Sequence, residues 1–139
     1  MQKNSMAEKK QILIDGEEWP GLVNVGEISI EAGTIEIPEF HRIRIIKNGI
    51  KKIPVVNVIY QITRNSITLK GFRDWFFKDE DHEVIIKRTD AHGIEFARSI
   101  MPGCECIKYA EPAFDGANVT YAQLPTILVP WDFIPLDAG

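Results

Sequence analysis

Isoleucine alternates with polar residues twice early in the chain, at Glu27-Ile28-Ser29-Ile30-Glu31 and at Thr34-Ile35-Glu36-Ile37. Side chains two apart on a strand share a face, so each run predicts a half-buried strand with isoleucines inward and an acidic outer row. Arg42-Ile43-Arg44-Ile45 keeps the alternation but places basic residues opposite the isoleucines. Asn48-Gly49 follows, the pair preferred in two-residue hairpin turns of type I′. Pro38 and Pro54 bracket a stretch that carries His41, Arg42, Arg44, Lys47, Lys51 and Lys52 against Glu39 alone. We read it as a long hairpin over 38–54 reaching beyond the domain body; charge alone fits an ordinary solvated hairpin equally well.

The remaining chain is punctuated by turn residues. Gln11 to Ile14 is a short strand closed by Asp15-Gly16, and Trp19-Pro20-Gly21 makes a second break before Leu22 and Val23. Val55 to Ile62 is rich in β-branched residues and reads as a central strand. One helix is expected, from Ser66 or Thr68 to Lys78, capped by Asn65, Ser66 or Thr68. Leu69, Phe72 and Phe76 recur at helical spacing with Trp75 beside them, which gives an apolar face for the core. Strands are expected at Glu83 to Thr89 and Ile94 to Ile100, joined by a turn at Asp90-Ala91-His92-Gly93. Others are expected at Cys104 to Tyr109, after a break at Pro102-Gly103, and at Val119 to Val129, after a turn at Asp115-Gly116. Pro125 inside the last run points to an edge or a bulge. The sum is about seven to nine short strands and one helix, a mainly β sandwich or barrel with a flanking α-helix.

The 139 residues suit a single domain over 11–139, preceded by a polar, flexible arm at 1–10 and ending in an irregular arm at 130–139. The net charge of −4 argues against tight phosphate-neutralising nucleic-acid binding. No apolar run has the length of a membrane span and no signal peptide is recognised, so synthesis in a cytoplasm without membrane insertion is expected. The two cysteines, Cys104 and Cys106, share one strand face and are expected to be reduced core residues. Helix stability gives no reason for Asp79, Glu80 and Asp81 at the helix end, where carboxylates oppose the macrodipole. They are a solvated loop or a surface for a basic partner.

Residues for catalysis are not found in a recognisable pattern. His41, His82 and His92 are scattered, and Cys104-x-Cys106 supplies two ligands at best, so neither a metal nor another cofactor is expected. No nucleophile elbow and no phosphate-binding glycine loop occurs. The aromatics sit in the helix and the basic residues in the hairpin, which weakens an OB-like single-stranded nucleic-acid binder, the main alternative from another class.

The succession IDGEEWPGLV, GEISIEAGTIEIPEF, RIRIIKNGIKKIP, LKGFRDWFF, IIKRTDAHGIEFARSI, CECIKYAEPAFDGA and LVPWDFIPLD resembles the tail tube proteins of contractile-tailed bacteriophages, whose fold type VI secretion tubes share. The resemblance implies a non-enzymatic virion subunit that forms stacked hexameric rings inside a contractile sheath. Its lumen passes double-stranded DNA during ejection without sequence-specific binding. Its partners would be copies of itself and the sheath, tape measure and baseplate proteins; another tail, baseplate or secretion-tube component is the nearby alternative. Four strands from each of six copies, spaced about 4.8 Å and tilted near 45°, would close a barrel roughly 50 Å across, wide enough for a duplex. On this scheme Arg42, Arg44, Lys47, Asn48, Lys51 and Lys52 are candidates for a contact with Asp79, Glu80 and Asp81 of a neighbour. Glu31 and Glu36 are candidates for the lumen, where like charge would let DNA slide, although Arg88, Arg98 and Lys108 lie on strands that would make its wall mixed.

Overall fold

The computed structural model describes residues 9–63, 66–111 and 121–137, apart from the side chains of Ile50 and Lys51. Strand β1 (Lys9–Ile14) turns into β2 (Glu17–Glu18) through Asp15 and Gly16, whose φ values of +51° and +84° are those a type I′ turn demands. There follow β3 (Leu22–Val25), β4 (Glu31–Glu39), β5 (Arg42–Lys52), β6 (Val56–Ile62), helix α1 (Ile67–Phe77), β7 (Asp81–Thr89), β8 (Glu95–Tyr109), β9 (Ala122–Val129) and β10 (Ile134–Asp137). Eight strands form one antiparallel sheet in the order β2-β1-β7-β8-β9-β6-β3, with β10 paired to β8; β4 and β5 form a separate two-stranded ribbon. The described residues are mainly β with one helix.

The long strand β8 allows the sheet to wrap. Two strands broken at Pro102-Gly103 were expected; a single strand runs through, because Gly103 takes a φ of +58° that bends the chain without ending it. Its first half pairs with β7 and β10, its second half with β9. Two sheet halves therefore face each other over one core. Val56, Val58, Tyr60 and Ile62 of β6 alternate inward with Leu124, Thr126 and Leu128 of β9, against Ile12, Ile14, Val84 and Ile86 from the other half. Cys104 and Cys106 are free and buried in this core, as their shared face predicts.

Pro125 pairs opposite Ile59 in an interior strand, but its carbonyl faces the end of β8, accepting from Ala110 N at 3.1 Å. Its missing N–H points to the same side, past the last ladder pair of β8 at Tyr109, so the proline behaves as an edge residue there. The turn expected at Asp115-Gly116 lies outside the described residues, as does most of the arm at 1–10; Lys9 and Lys10 belong to β1. The C-terminal arm is not wholly irregular, since Ile134–Asp137 adds to β8.

Helix α1 closes the core. Ser66 caps it, its hydroxyl accepting from Thr68 N at 3.1 Å, and Thr68 Oγ1 donates to Pro20 O at 2.8 Å. Leu69, Phe72 and Trp75 are buried and Phe76 packs on the core edge, as the helical spacing predicts. Trp75 Nε1 donates to Cys104 O at 3.0 Å, tying the helix to the bend in β8. Trp19 stands edge-on to both Phe72 and Trp75 and lies against Gly71, where a Cβ would fall 2.6 Å from its ring.

The acidic strand run and the basic hairpin, expected as separate features, are the two arms of one hairpin spanning Glu31 to Lys52. Its turn is Phe40-His41, with His41 at a φ of +69°, and Asn48-Gly49 is not the turn. From the pair Ala32↔Lys51 to the pair Thr34↔Lys47, β4 advances two residues and β5 four, so Asn48-Gly49 lies in a two-residue bulge. Gly33 faces it, and a Cβ there would come within 2.5 Å of Asn48 Oδ1. A turn at Asn48-Gly49 would leave only a few residues of return strand before Pro54; the turn at Phe40-His41 lets β5 pair along all of β4, with carboxylates across from cations. Pro38 is tolerated because every strand of a two-stranded ribbon is an edge. Of the first expected acidic strand, Glu27 to Glu31, only Glu31 is in a strand.

Candidate assembly surfaces

The ribbon is the feature least explained by the fold of a single copy. None of its described side chains joins the hydrophobic core, and β4 and β5 pack substantially only on each other. Directly opposed residues share a face. Ile35 and Ile37 therefore lie with Ile46 and Arg44 on one side; Glu36 and Pro38 lie with Ile45 and Ile43 on the other. Ile35, expected to point inward from a half-buried strand, is instead 49% exposed, and the isoleucines of the expected hairpin are in water as well, Ile43 at 65% and Ile45 at 62%. Phe40 at the tip is 88% exposed and its ring lies 3.8 Å from that of His41, centre to centre. A ribbon of two strands is marginal in water by itself, and one with aliphatic side chains on both faces has much to gain from being covered.

Charge binds the two arms to each other. Glu39 pairs with Arg42 at 3.3 Å and with Arg44 at 3.4 Å, and Glu31 pairs with Lys52 at 3.6 Å. These exposed pairs are worth little individually but fix the register. Five cations (Arg42, Arg44, Lys47, Lys51, Lys52) stand against three carboxylates (Glu31, Glu36, Glu39), so the ribbon keeps a surplus of two positive charges. The lumen candidates Glu31 and Glu36 thus share an element with the contact candidates Arg42, Arg44, Lys47, Asn48 and Lys52, an association that the sequence pattern separated. Lys51 belongs to the same strand, its side chain lying outside the described residues.

Asp79, Glu80 and Asp81 lie on the body, at the end of α1 and the start of β7, with Asp79 at a φ of +51°. The structure adds Asp15, Glu83 and Glu105 to this acidic end. His82 Nδ1 pairs with the Asp15 carboxylate, its Nε2 lies 3.5 Å from Glu80 Oε1, and Glu83 N donates to Asp15 Oδ1 at 2.9 Å. Partial burial raises the Asp15 pKa, but hydrogen bonds from His82 and Glu83 N, with the charge of His82, together leave the carboxyl below its usual range. Asp81 and Glu105 are direct cross-strand neighbours, two carboxylates facing each other. Neither has an ion pair with a cation among the described residues.

Phe40 was not singled out in the sequence, where it follows Pro38-Glu39 without a periodic context; only the position of the turn reveals it as a tip. Trp131, also missed, is exposed and packs its Cβ region near Gly103. No group of three or more potential metal ligands occurs among the described residues. Burial raises the Cys104 thiol to about 12 and the Cys106 thiol to about 11, so neither is a thiolate nucleophile near neutrality.

No protein-family model matches the chain, and no curated protein matches it significantly. Solved structures do. A chain of the anti-feeding prophage cap, described as its tube-terminating cap, superposes with a TM-score of 0.76 at 13% identity, covering 99% of this chain and 94% of that one. A chain of the PVC sheath/tube terminator from an extracellular contractile injection system gives 0.73 at 14% identity, covering 92% and 93%. A chain of the PVC sheath–tube complex gives 0.73 at 14%, covering 94% and 89%. At such identities the likeness is one of fold, and that fold is found in the tube and tube-end assemblies of contractile injection systems, relatives of the tail tubes that the sequence resembles.

Proposed function

We propose that the chain is a non-enzymatic structural subunit of a contractile tail, built to assemble with copies of itself into rings of six that stack around a channel. The observation that carries this reading is the ribbon Glu31–Lys52, which projects aliphatic side chains from both faces with no core of its own to cover them. A second copy supplies that cover, and its acidic end at Asp79–Asp81 complements the surplus positive charge of the ribbon. The sheath, tape measure and baseplate would be its other partners, the virion tail its place, and DNA the cargo of the channel, carried past Glu31 and Glu36 without sequence-specific contacts. A tube terminator or cap is the second reading, favoured by the fold shared with chains from two tube-end assemblies.

Negative-stain microscopy of purified protein over a range of concentrations, with sedimentation velocity alongside, tests both. Stacked rings or tubes support the tube subunit. Single rings that never elongate support the terminator. A protein that remains monomeric at the highest concentration overturns both readings, and salt-dependent binding to an oligonucleotide by that monomer would favour an OB-like role instead.

A further inference from the structure

The acidic end of the body contains a small cavity with an unusual lining. Trp75, Phe76 and Cys106 meet Asp79, Glu80 and Glu105 around a space of about 180 Å³. Its apolar part belongs to the core edge: Trp75 is buried and bonded to Cys104 O, and Phe76 packs edge-on against Phe77 and Tyr109. Phe77 beside it is 70% exposed, extending the aromatic surface outward. Its acidic part carries a repulsion that the single copy leaves unrelieved, since Glu105 directly opposes Asp81 across the β7–β8 ladder. Trp75 lies beneath this lining, so the surface offered is mainly the carboxylate rim with the partly exposed Phe76 at its edge, a site that fits an aromatic side chain accompanied by cations.

One segment of this chain has that composition and is exposed. The ribbon tip presents Phe40, flanked by His41 and Arg42 and followed by Arg44. Its own copy gives the Phe40 ring no partner beyond His41 among the described residues. A cavity of about 150 Å³ is enough to hold a benzene ring, so 180 Å³ accommodates a phenyl group.

We infer that Phe40 of one copy is the anchor of the self-assembly contact and that the cavity bounded by Trp75, Phe76 and Glu105 of a second copy is its socket. The inference rests on the self-assembly proposed above and adds the two surfaces that meet. The phenyl ring enters the cavity against the edge of Phe76, and the cations behind it relieve the repulsion between Asp81 and Glu105. Buried aromatic anchors of this kind dominate the energetics of interfaces, whereas the surrounding exposed ion pairs mainly set orientation.

Two measurements on the full chain test the pairing. Phe40→Ala should leave the melting temperature unchanged, because the ring packs on no core residue, and should raise the concentration needed for assembly tenfold or more. Separately, with Cys106 replaced by alanine in both proteins so that the native thiol of the socket cannot react, Phe40→Cys protein mixed with Glu105→Cys protein and oxidised under assembling conditions should give a mixed disulfide dimer that neither variant gives alone. Assembly of Phe40→Ala at the wild-type concentration, or absence of the mixed dimer where the wild type assembles, overturns the pairing and leaves ring formation standing. A wild type that never assembles overturns both.

Discussion

Replacing Ile43 and Ile45 together by serine separates the stability of one copy from the stability of the assembly. Both side chains project from the same face of the ribbon, and 65% and 62% of their surface remains in water. Burying an isoleucine completely is worth about 1.5–3 kcal/mol. With nearly two thirds of each still exposed, a partner that covers them gains about 1–2 kcal/mol per residue, or about 2–4 kcal/mol for the pair. At about 1.4 kcal/mol per factor of ten, association should weaken roughly 30- to 700-fold. The single copy should hardly notice, because neither residue touches the core; its unfolding free energy should shift by no more than about 0.5 kcal/mol. Sedimentation velocity across a concentration series gives the first quantity, and urea unfolding of dilute, monomeric protein gives the second. A variant that assembles like the wild type would refute the ribbon as an interface. A loss of more than about 2 kcal/mol in the monomer would show equally that the ribbon packs on the body, contrary to its exposure.

Three further outcomes follow from the fold. Gly71→Ala should destabilise the monomer by about 1–3 kcal/mol in urea unfolding, although alanine is the better helix former, because the added Cβ would press on the Trp19 ring; a stabilised variant would contradict that contact. Asp15 has its folded pKa below the ordinary value of 3.8, so its contribution to stability is complete above that value and is lost as pH falls through the folded pKa. Asp15→Asn should therefore flatten the acid limb of stability against pH, and an unchanged limb would remove Asp15 from the account. Cys104 and Cys106, buried and with raised thiol pKa values, should resist a thiol-reactive disulfide reagent at pH 8 in the native protein and react rapidly after unfolding; fast reaction in the native state would contradict their burial.

Local information was sufficient for much of this molecule. The type I′ pair Asp15-Gly16, the alternation in β6, the helical stripe Leu69, Phe72, Trp75 and the shared face of Cys104 and Cys106 are settled by neighbours within a few residues, and period and turn chemistry read them directly. The mainly β class with one helix follows from their sum. Tertiary structure decided the rest where two local signals competed. Asn48-Gly49 is a strong turn signal, yet the chain turns at Phe40-His41 because register is chosen by the total length and charge match of the paired strands, not by the turn pair alone. The same applies to Pro102-Gly103, which bends β8 where a break was expected, since the strand gains partners on both sides of the bend. Periodicity gives two faces to an isoleucine row but does not say whether anything covers one of them. Only the arrangement of the other strands shows that Ile35, Ile43 and Ile45 lie outside the core, and that Asp81 and Glu105, far apart in sequence, stand opposite each other.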